Sequence, residues 1–333
     1  MQNGFYLVNR RRGHQGYYPR GFFLIEFEKR TGKPISELFD IIAGTSTGGI
    51  LAVALTVPGS RGRPKYSAEK IYSLYIEHGG TIFNRSLLRS AATLGGLLGP
   101  KYSPRGLESL LEQYFGDKRL HETLTEIIVT AYDMASSTPW FFKTSFAKNH
   151  RAPEDDPLLA QVVRATTAVP AFFPPLTMEG HCMVDGGVFA SNPGLCAYAH
   201  AKNLYPEETE FLVISLGTGV QTHHRPCSKI KDWGIADWAV PIIAVLLNSS
   251  SETVNYQMKT LVGGENYARF QVKLDDQTAE MDDASPENIR RLEALAQAAV
   301  RENSAKIDQL CSRLMKREEK SRPVKRNARV YTY

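Results

Sequence analysis

The sequence predicts a layered α/β fold in which the strands of a covered sheet alternate along the chain with helices. Short apolar segments, typical of interior strands, alternate along the chain with segments of helical periodicity. One apolar segment, residues 41–43, runs into a glycine-rich turn and then into a helix-forming run. The chain has 333 residues, of which 42% are hydrophobic, so it can bury one large core. One elaborated domain is therefore expected.

The first predicted helix covers residues 22–29, and Gly32 and Pro34 follow it as stop signals. No clear N-cap marks its start. The predicted strands are residues 39–43, 127–132, 140–144 and 211–216. The further predicted helices are residues 68–78, 103–114 and 158–165.

The last predicted helix begins at Ser285, which can cap it, and at Pro286, which suits the first helical position. Apolar residues then recur at helical spacing as far as Leu314, so one long helix should pack on the domain through an apolar stripe. Residues 239–247 form the longest apolar run and are interrupted by Pro241. We interpret this run as a buried helix, since it is too short to cross a bilayer.

Ser46 lies at the centre of Gly44-Thr45-Ser46-Thr47-Gly48, between a predicted strand and a predicted helix. This is the layout of a nucleophile elbow, in which a sharp turn presents a serine hydroxyl. Gly44 and Gly48 keep side chains away from the strained turn. The helix that follows brings its positive end, and the N–H of Thr47, near the place where an oxyanion would form. The segment predicts a serine acyl hydrolase.

Asp185 is the second candidate catalytic residue, 139 positions beyond the serine and followed by Gly186 and Gly187. A serine hydroxyl needs a neighbouring base, and a carboxylate can take its proton directly at about 3 Å when water is excluded. The two glycines would let the backbone bend toward Ser46.

These motifs make the chain similar to the patatin-like phospholipases. The resemblance also rests on EKRTGKP at residues 28–34, ATTAVPAFFPP at 165–175 and SLGTG at 215–219, and it covers nearly everything from about Pro19 to about Ala296. It implies a three-layer α/β fold with a central, mostly parallel sheet between helices. It also implies a Ser-Asp dyad without a catalytic histidine, and hydrolysis of lipid acyl esters without metal or cofactor. The implied substrates are phospholipids, galactolipids or other acyl esters.

The beginning of the chain departs from this family. Family members carry Asp-Gly-Gly-Gly-x-Arg-Gly on a loop that lines the oxyanion hole, whereas residues 10–16 here read RRRGHQG. Only Gly13 and Gly16 match expected glycines, so they join Thr47 as candidate oxyanion donors. Loss of one such donor lowers turnover by about two to three orders of magnitude.

A frameshift is one explanation for this departure. Codons can be chosen so that residues 10–18, read one base later, give DGGGIRGII, and residues 4–9 then give another apolar strand. We therefore hypothesise that the segment up to about Arg20 is a shifted version of an ordinary patatin start. Resequencing the gene tests this, because arginine codons that cannot yield glycine in the next frame would refute it.

Charge is concentrated at the end of the chain. Residues 316–333 hold seven of the 40 Lys and Arg and two of the 35 Asp and Glu. The rest of the chain therefore has 33 basic and 33 acidic residues and no net charge. A nucleic-acid-binding face is thus not expected on the body. The organisation predicted is an atypical segment 1–20, a catalytic domain 21–315 and a basic, disordered tail 316–333.

The four cysteines are widely spaced and are expected to be reduced.

No signal segment follows Met1, so the predicted location is cytoplasmic or peripheral to a membrane. The sequence does not predict an oligomeric state. Residues 86–98, or the stretch between Trp233 and Trp238, could border an acyl pocket or touch a lipid surface, and ordinary core packing is the alternative.

Two alternatives to the dyad enzyme stay open. The first is a conventional α/β hydrolase with a histidine base drawn from His200, His223 or His224. The second is a catalytically impaired lipid-binding or interaction protein with the same fold, which the altered loop at residues 10–16 favours.

Overall fold

The computed structural model describes residues 4–9, 14–82, 99–150, 152, 154–221, 226–238, 241–274 and 285–318. The strands are β1 (Gly4–Asn9), β2 (Ile41–Thr45), β3 (Glu126–Asp133), β4 (Thr138–Lys143), β5 (Leu176–Met178), β6 (His181–Asp185), β7 (Phe211–Leu216), β8 (Val220–Gln221), β9 (Tyr267–Phe270) and β10 (Lys273–Leu274). β8 and β10 form a separate parallel pair, and the other strands form one sheet.

Helices precede and follow these strands along the chain. They are α1 (His14–Thr31), α2 (Ile35–Leu38), α3 (Thr47–Ala54), α4 (Ala68–Ile82), α5 (Arg105–Phe115), α6 (Thr144–Asn149), α7 (Leu159–Thr166), α8 (Gly194–Leu204), α9 (Cys227–Ile230), α10 (Ile235–Trp238), α11 (Pro241–Val262), α12 (Pro286–Glu302) and α13 (Ser304–Glu318).

The sheet is parallel through its middle and antiparallel at one side. Strands β3, β2, β1, β7 and β9 lie side by side and run in the same direction. Strands β4 and β6 pair antiparallel with β3, and β5 pairs antiparallel with β6. Because β1 lies between β2 and β7, the C-terminal ends of these three strands meet at one edge of the sheet.

Alternate residues of the interior strands face different helical layers. On β2, Ile42 packs in the core under α1, α3 and α4, whereas Ile41 and Ala43 pack in the second core with residues of α8 and α11. Strand β7 divides in the same way, as expected for side chains that alternate across a sheet. The predicted three-layer α/β fold is confirmed.

Most predicted elements lie within a few residues of their observed bounds, but α1 begins at His14 rather than residue 22. Pro19 lies inside this helix, and because proline lacks the N–H that a helix interior uses, the sequence favoured a later start. Gly32 ends α1 with a φ of 69° and an N–H bonded to the Glu28 carbonyl, as predicted.

The prediction of one long C-terminal helix is wrong. The helix capped by Ser285 ends at Glu302, and α13 starts at Ser304. At Asn303 the backbone leaves the helical conformation, with a φ of −102° and a ψ of 11°, and the side-chain amide donates to the Ala299 carbonyl. The apolar stripe nevertheless continues, since Leu292, Ile307 and Leu314 are all buried.

The prediction of a buried helix at 239–247 is also wrong for its described residues. On α11, Ile242, Val245 and Leu246 are 36%, 46% and 60% exposed. Helix α11 packs on the body further along, where Val254 and Met258 lie close to Gly194. The N-terminal part of α11 therefore exposes its apolar side chains.

Candidate active site

Ser46 occupies the sharp turn between β2 and α3. Its φ of 58° and ψ of −125° lie in a region that residues other than glycine rarely adopt. Gly44 approaches Gly48 so closely that a Cβ on Gly44 would lie 2.1 Å from the Gly48 carbonyl oxygen. The turn therefore needs this glycine, and the Ser46 backbone is strained. A nucleophile elbow would require such a turn.

The backbone of Ser46 is fixed on both sides. Its N–H donates to Thr166 Oγ1 at 2.8 Å, and the Thr166 hydroxyl donates to the Thr130 carbonyl at 2.6 Å. Its carbonyl accepts from Gly49 and Ile50, which starts helix α3. Thr166 thus connects the turn to β3, and sequence reasoning missed this residue.

Two strands meet end to end along one edge of β3. Strand β4 pairs with Ile128–Asp133, β2 pairs with Glu126–Thr130 and β6 pairs with Ala131–Asp133. A strand has only two hydrogen-bonding edges. The β3 residues that pair with β4 include residues that pair with β2 and residues that pair with β6, so β4 occupies one edge of β3, and β2 and β6 share the other. Thr45 faces Thr130, and Asp185 faces the next residue, Ala131.

This arrangement brings Asp185 to the turn that carries Ser46. Successive positions on a strand are about 3.3 Å apart, so the end of β2 and the end of β6 are neighbours. Gly186 packs against β3 so tightly that a Cβ there would lie 2.3 Å from Thr130 Oγ1. The residue pair separated by 139 positions in the sequence thus comes together at one end of the sheet.

The carboxylate of Asp185 is fully buried. Its Oδ1 accepts from the Gly187 N–H at 2.7 Å, and its own N–H donates to the Ala168 carbonyl at 3.0 Å. The Gly-Gly sequence therefore turns the chain back onto the carboxylate. Ser46 is also buried, at 4% exposure, so both residues are shielded from bulk water.

A threonine pair binds the two strand ends together. Thr45 Oγ1 and Thr130 Oγ1 are 2.7 Å apart, and Thr45 Oγ1 also donates to the Ala190 carbonyl at 2.8 Å. Since Ala190 N–H bonds back to the Gly186 carbonyl, the turn after Asp185 is tied to the residue before Ser46.

Comparisons with known proteins identify the family of this chain. Residues 18–195, more than half of the 333, match the family model described as Patatin-like phospholipase. Patatin-like protein 2 from Oryza sativa subsp. indica is 33% identical over 314 residues, covering 82% of this chain and 76% of that relative. The chain belongs to the patatin-like phospholipase family. At the level of the family, this membership supports lipid acyl hydrolysis.

Further relatives carry the same family name. Patatin-04/09 from Solanum tuberosum is 31% identical over 299 residues, covering 81% of this patatin-like chain and 75% of that one. Among solved structures, VipD from Legionella pneumophila is similar over 90% of this chain and 67% of its own, with 14% identity and a TM-score of 0.40.

Two of the candidate oxyanion donors of this patatin-like chain, Thr47 and Gly16, lie near the starts of helices. Thr47 is the first residue of α3 and is buried beside Ser46, at the positive end of that helix. Gly16 is the third residue of α1, which follows β1, and β1 ends with Asn9 opposite Gly44. Gly13 and the arginines at 10–12 lie outside the described residues.

The histidines proposed as alternative bases do not come to Ser46 where the structure describes them. His200 bonds to Glu126 through its Nε2, at 2.7 Å from Oε1. Glu126 faces Ile41 at the start of β2, about 13 Å along the strand from Thr45. His223 and His224 lie outside the described residues, as do residues 86–98 and the tail beyond Glu318.

Asp133, at the far end of β3, is a second buried carboxylate with a different role. Burial alone would raise its pKa, but hydrogen bonds from Ser136, His181 and the backbone N–H groups of Cys182 and Ala135 outweigh burial. The net pKa lies well below the ordinary value of an aspartate. Both Asp133 oxygens therefore accept hydrogen bonds, from Ala135 and Ser136 in the β3–β4 turn and from His181 and Cys182 on β6.

The remaining features bear on cofactors and membranes. Cys182, Cys196, Cys227 and Cys311 are all unbridged, as predicted, and burial raises the pKa of Cys196 and of Cys311 to about 11.

Within the described ranges, no cluster of three or more His, Cys, Asp or Glu could bind a metal ion. Among the helices described, none combines the length and apolar character needed to cross a bilayer.

Proposed function

We propose that this protein is a lipid acyl hydrolase in which Ser46 is the nucleophile and Asp185 is the general base. The observation that carries the proposal is the shared edge of β3, where the Ser46 turn and Asp185 end two strands that meet. Burial of both residues and the strained elbow conformation of Ser46 support the same roles.

In the first half-reaction, Ser46 Oγ attacks the ester carbonyl carbon and Asp185 accepts the hydroxyl proton. The tetrahedral oxyanion forms beside the N-terminal end of α3, where the Thr47 N–H contributes to its stabilisation. Gly13 and Gly16 are the proposed further donors. Collapse of this intermediate breaks the ester bond, and the leaving alcohol takes the proton from Asp185.

In the second half-reaction, water attacks the acyl group on Ser46 while Asp185 accepts a proton from that water. Collapse then breaks the bond to Ser46 Oγ, and the proton returns to the serine. The fatty acid leaves, and the enzyme is restored. These steps use no metal or cofactor, so activity should persist in the presence of a chelator.

The substrates that we propose are phospholipids, galactolipids or related acyl esters presented in a lipid layer. The contact surface is an apolar stripe, which consists of Ile235, Trp238, Ile242, Val245 and Leu246. Ile235 is 92% exposed on α10 and Trp238 is half-buried. On α11, Ile242, Val245 and Leu246 are exposed and are spaced so that they lie on one side of the helix. Asn192, shortly after Asp185, donates to the Ser251 carbonyl of α11 and so connects this helix to the site region.

The experiment that tests the proposal is release of free fatty acid from phospholipids, galactolipids and short nitrophenyl esters. Wild-type protein should hydrolyse at least one class, and Ser46→Ala and Asp185→Asn should each lower kcat by about 10⁴-fold or more. Matched controls are Ser36→Ala and Asp156→Asn, because both residues are buried but lie away from Ser46. Full activity in Ser46→Ala, or activity lost only on histidine substitution, would refute the dyad.

A further inference from the structure

An apolar cavity of about 80 Å³ lies between α3, α4 and α5. Its walls include Ile50 and Ala54 from α3, Ile71 from α4, and Leu107 and Leu111 from α5. Ala54, Ile71, Leu107 and Leu111 are buried, whereas Ile50 is half-buried at the rim.

The cavity begins one helical turn from Ser46. The Ile50 N–H donates to the Ser46 carbonyl at 3.2 Å, so Ile50 lies directly below the serine on α3. Ala54 follows one turn later, about 5.4 Å further along the axis. Side chains on a helix tilt toward its N-terminus, which here is the Ser46 end. The α3 wall therefore extends away from the serine as a continuous apolar surface.

The chemistry of the walls suits a hydrocarbon chain. Among the described residues that line it there is no Asp, Glu, Lys or Arg. The polar groups at the rim are bonded to one another: His78 Nε2 lies 2.6 Å from the Tyr114 hydroxyl, and the Tyr66 hydroxyl donates to the Tyr114 carbonyl at 2.9 Å. Apart from Tyr66, Tyr75, His78 and Tyr114, the described lining residues are apolar, so an acyl chain would leave water and fill the space.

We infer that this cavity binds the acyl chain of the ester whose carbonyl Ser46 attacks, and that Ala54 and Leu111 limit the length of that chain. The inference rests on the proposed function, because the carbonyl must be at Ser46 for the chain to enter along α3. It assigns chain-length selectivity to the α3–α4–α5 side of the site.

The first test measures kcat/KM for nitrophenyl esters from four to sixteen carbons. In the wild type, each methylene that enters the cavity should raise kcat/KM about fourfold, equivalent to about 0.8 kcal/mol, until the cavity is full. Ala54→Leu, which fills space, should shift the optimum to shorter chains. Leu111→Ala, which creates space, should shift it to longer ones.

The matched control is Leu292→Ala, because Leu292 is another buried helical leucine but lies on α12, outside the cavity walls. It should lower stability while keeping the wild-type chain-length optimum. If Ala54→Leu does not fold, Leu110→Trp at the half-buried rim provides the filling variant. An identical chain-length profile in the filling, enlarging and control variants would overturn the inference.

A second test does not depend on hydrolysis. Cis-parinaric acid, a fluorescent fatty acid, should bind to Ser46→Ala protein, and adding Ala54→Leu or Leu110→Trp should weaken binding at least tenfold, whereas adding Leu292→Ala should not. Cavity-dependent binding without ester hydrolysis would refute the proposed function and support the acyl-chain site. Equal affinity in all variants would refute the acyl-chain site even if hydrolysis depends on Ser46.

Discussion

Thr166 is the side chain that fixes the Ser46 backbone, since its hydroxyl accepts the Ser46 N–H and donates to the Thr130 carbonyl. Thr166→Val preserves the shape of the side chain but removes its hydroxyl. The buried Ser46 N–H and the buried Thr130 carbonyl then lose this hydrogen-bond partner. We expect a loss of about 1–3 kcal/mol in the free energy of unfolding, and a fall in kcat with little change in KM.

Thr166→Ser is the matched variant, because it retains the hydroxyl and should restore most of the kcat. Steady-state kinetics and urea unfolding of both proteins check this expectation. A valine variant that unfolds more easily but keeps the wild-type kcat would show that Thr166 supports only the fold.

The buried carboxylate of Asp133 predicts a dependence of stability on pH. In the unfolded chain Asp133 titrates near its ordinary pKa of 3.8, whereas in the folded protein its pKa is lower. Its ionised form therefore stabilises the fold above pH 3.8, and this contribution disappears as the pH falls below that value.

We expect Asp133→Asn to lower the free energy of unfolding by about 1–3 kcal/mol near neutral pH, and the difference from the wild type to shrink below pH 4. Asp117→Asn is the control at an exposed site and should stay within about 0.5 kcal/mol of the wild type. Urea unfolding at a series of pH values measures both. A difference that grows on acidification would contradict the assigned role of Asp133.

Helix α11 and the short helix before it carry the proposed contact with lipid. Replacing Ile235 and Leu246 by serine removes two of the most exposed apolar side chains of the stripe. We expect this double variant to sediment with phospholipid vesicles at least tenfold less, while hydrolysis of a water-soluble short ester stays near the wild-type rate.

Leu261→Ser is the matched control for the vesicle experiment. Leu261 is 52% exposed on the same helix but lies near its C-terminal end, away from the stripe. It should leave vesicle binding unchanged. Equal loss in Leu261→Ser and in the double variant would mean that general surface hydrophobicity, rather than the stripe, governs binding.

Elements that follow from local pattern were predictable, and those set by distant contacts were not. Strand β7 has the bounds that the sequence predicted. They were predictable because its short apolar run lies between polar segments. The break between α12 and α13 lies at the single residue Asn303, whose backbone leaves the helical conformation, and the apolar periodicity continues through it and so does not reveal it. The pairing of β6 with β3 joins segments about fifty residues apart, and no local signal encodes it.

Across the molecule, the candidate site draws on four separated segments, which contribute Ser46, Thr130, Thr166 and Asp185. The sequence predicts Ser46 and Asp185 as site residues because glycines flank the serine and follow the aspartate. Nothing local distinguishes Thr130 or Thr166 from other threonines, since their roles arise from bonds across 36 and 120 positions.

The beginning of the chain stays a prediction. Residues Gly4–Asn9 as printed form β1, in parallel register between β2 and β7. The arginines at residues 10–12 and Gly13 lie between this strand and α1, outside the described residues. Resequencing the gene therefore remains the test of the frameshift hypothesis and of the proposed boundary near residue 20.

The most direct test of the dyad is covalent labelling of the folded, full-length chain with a fluorophosphonate probe, followed by mass spectrometry of the modified peptide. Our account predicts labelling at Ser46 in the wild type and in His200→Gln, and labelling at least about 10³-fold slower in Asp185→Asn. Well-folded protein that leaves Ser46 unmodified, or that labels at an unchanged rate in Asp185→Asn, would contradict it.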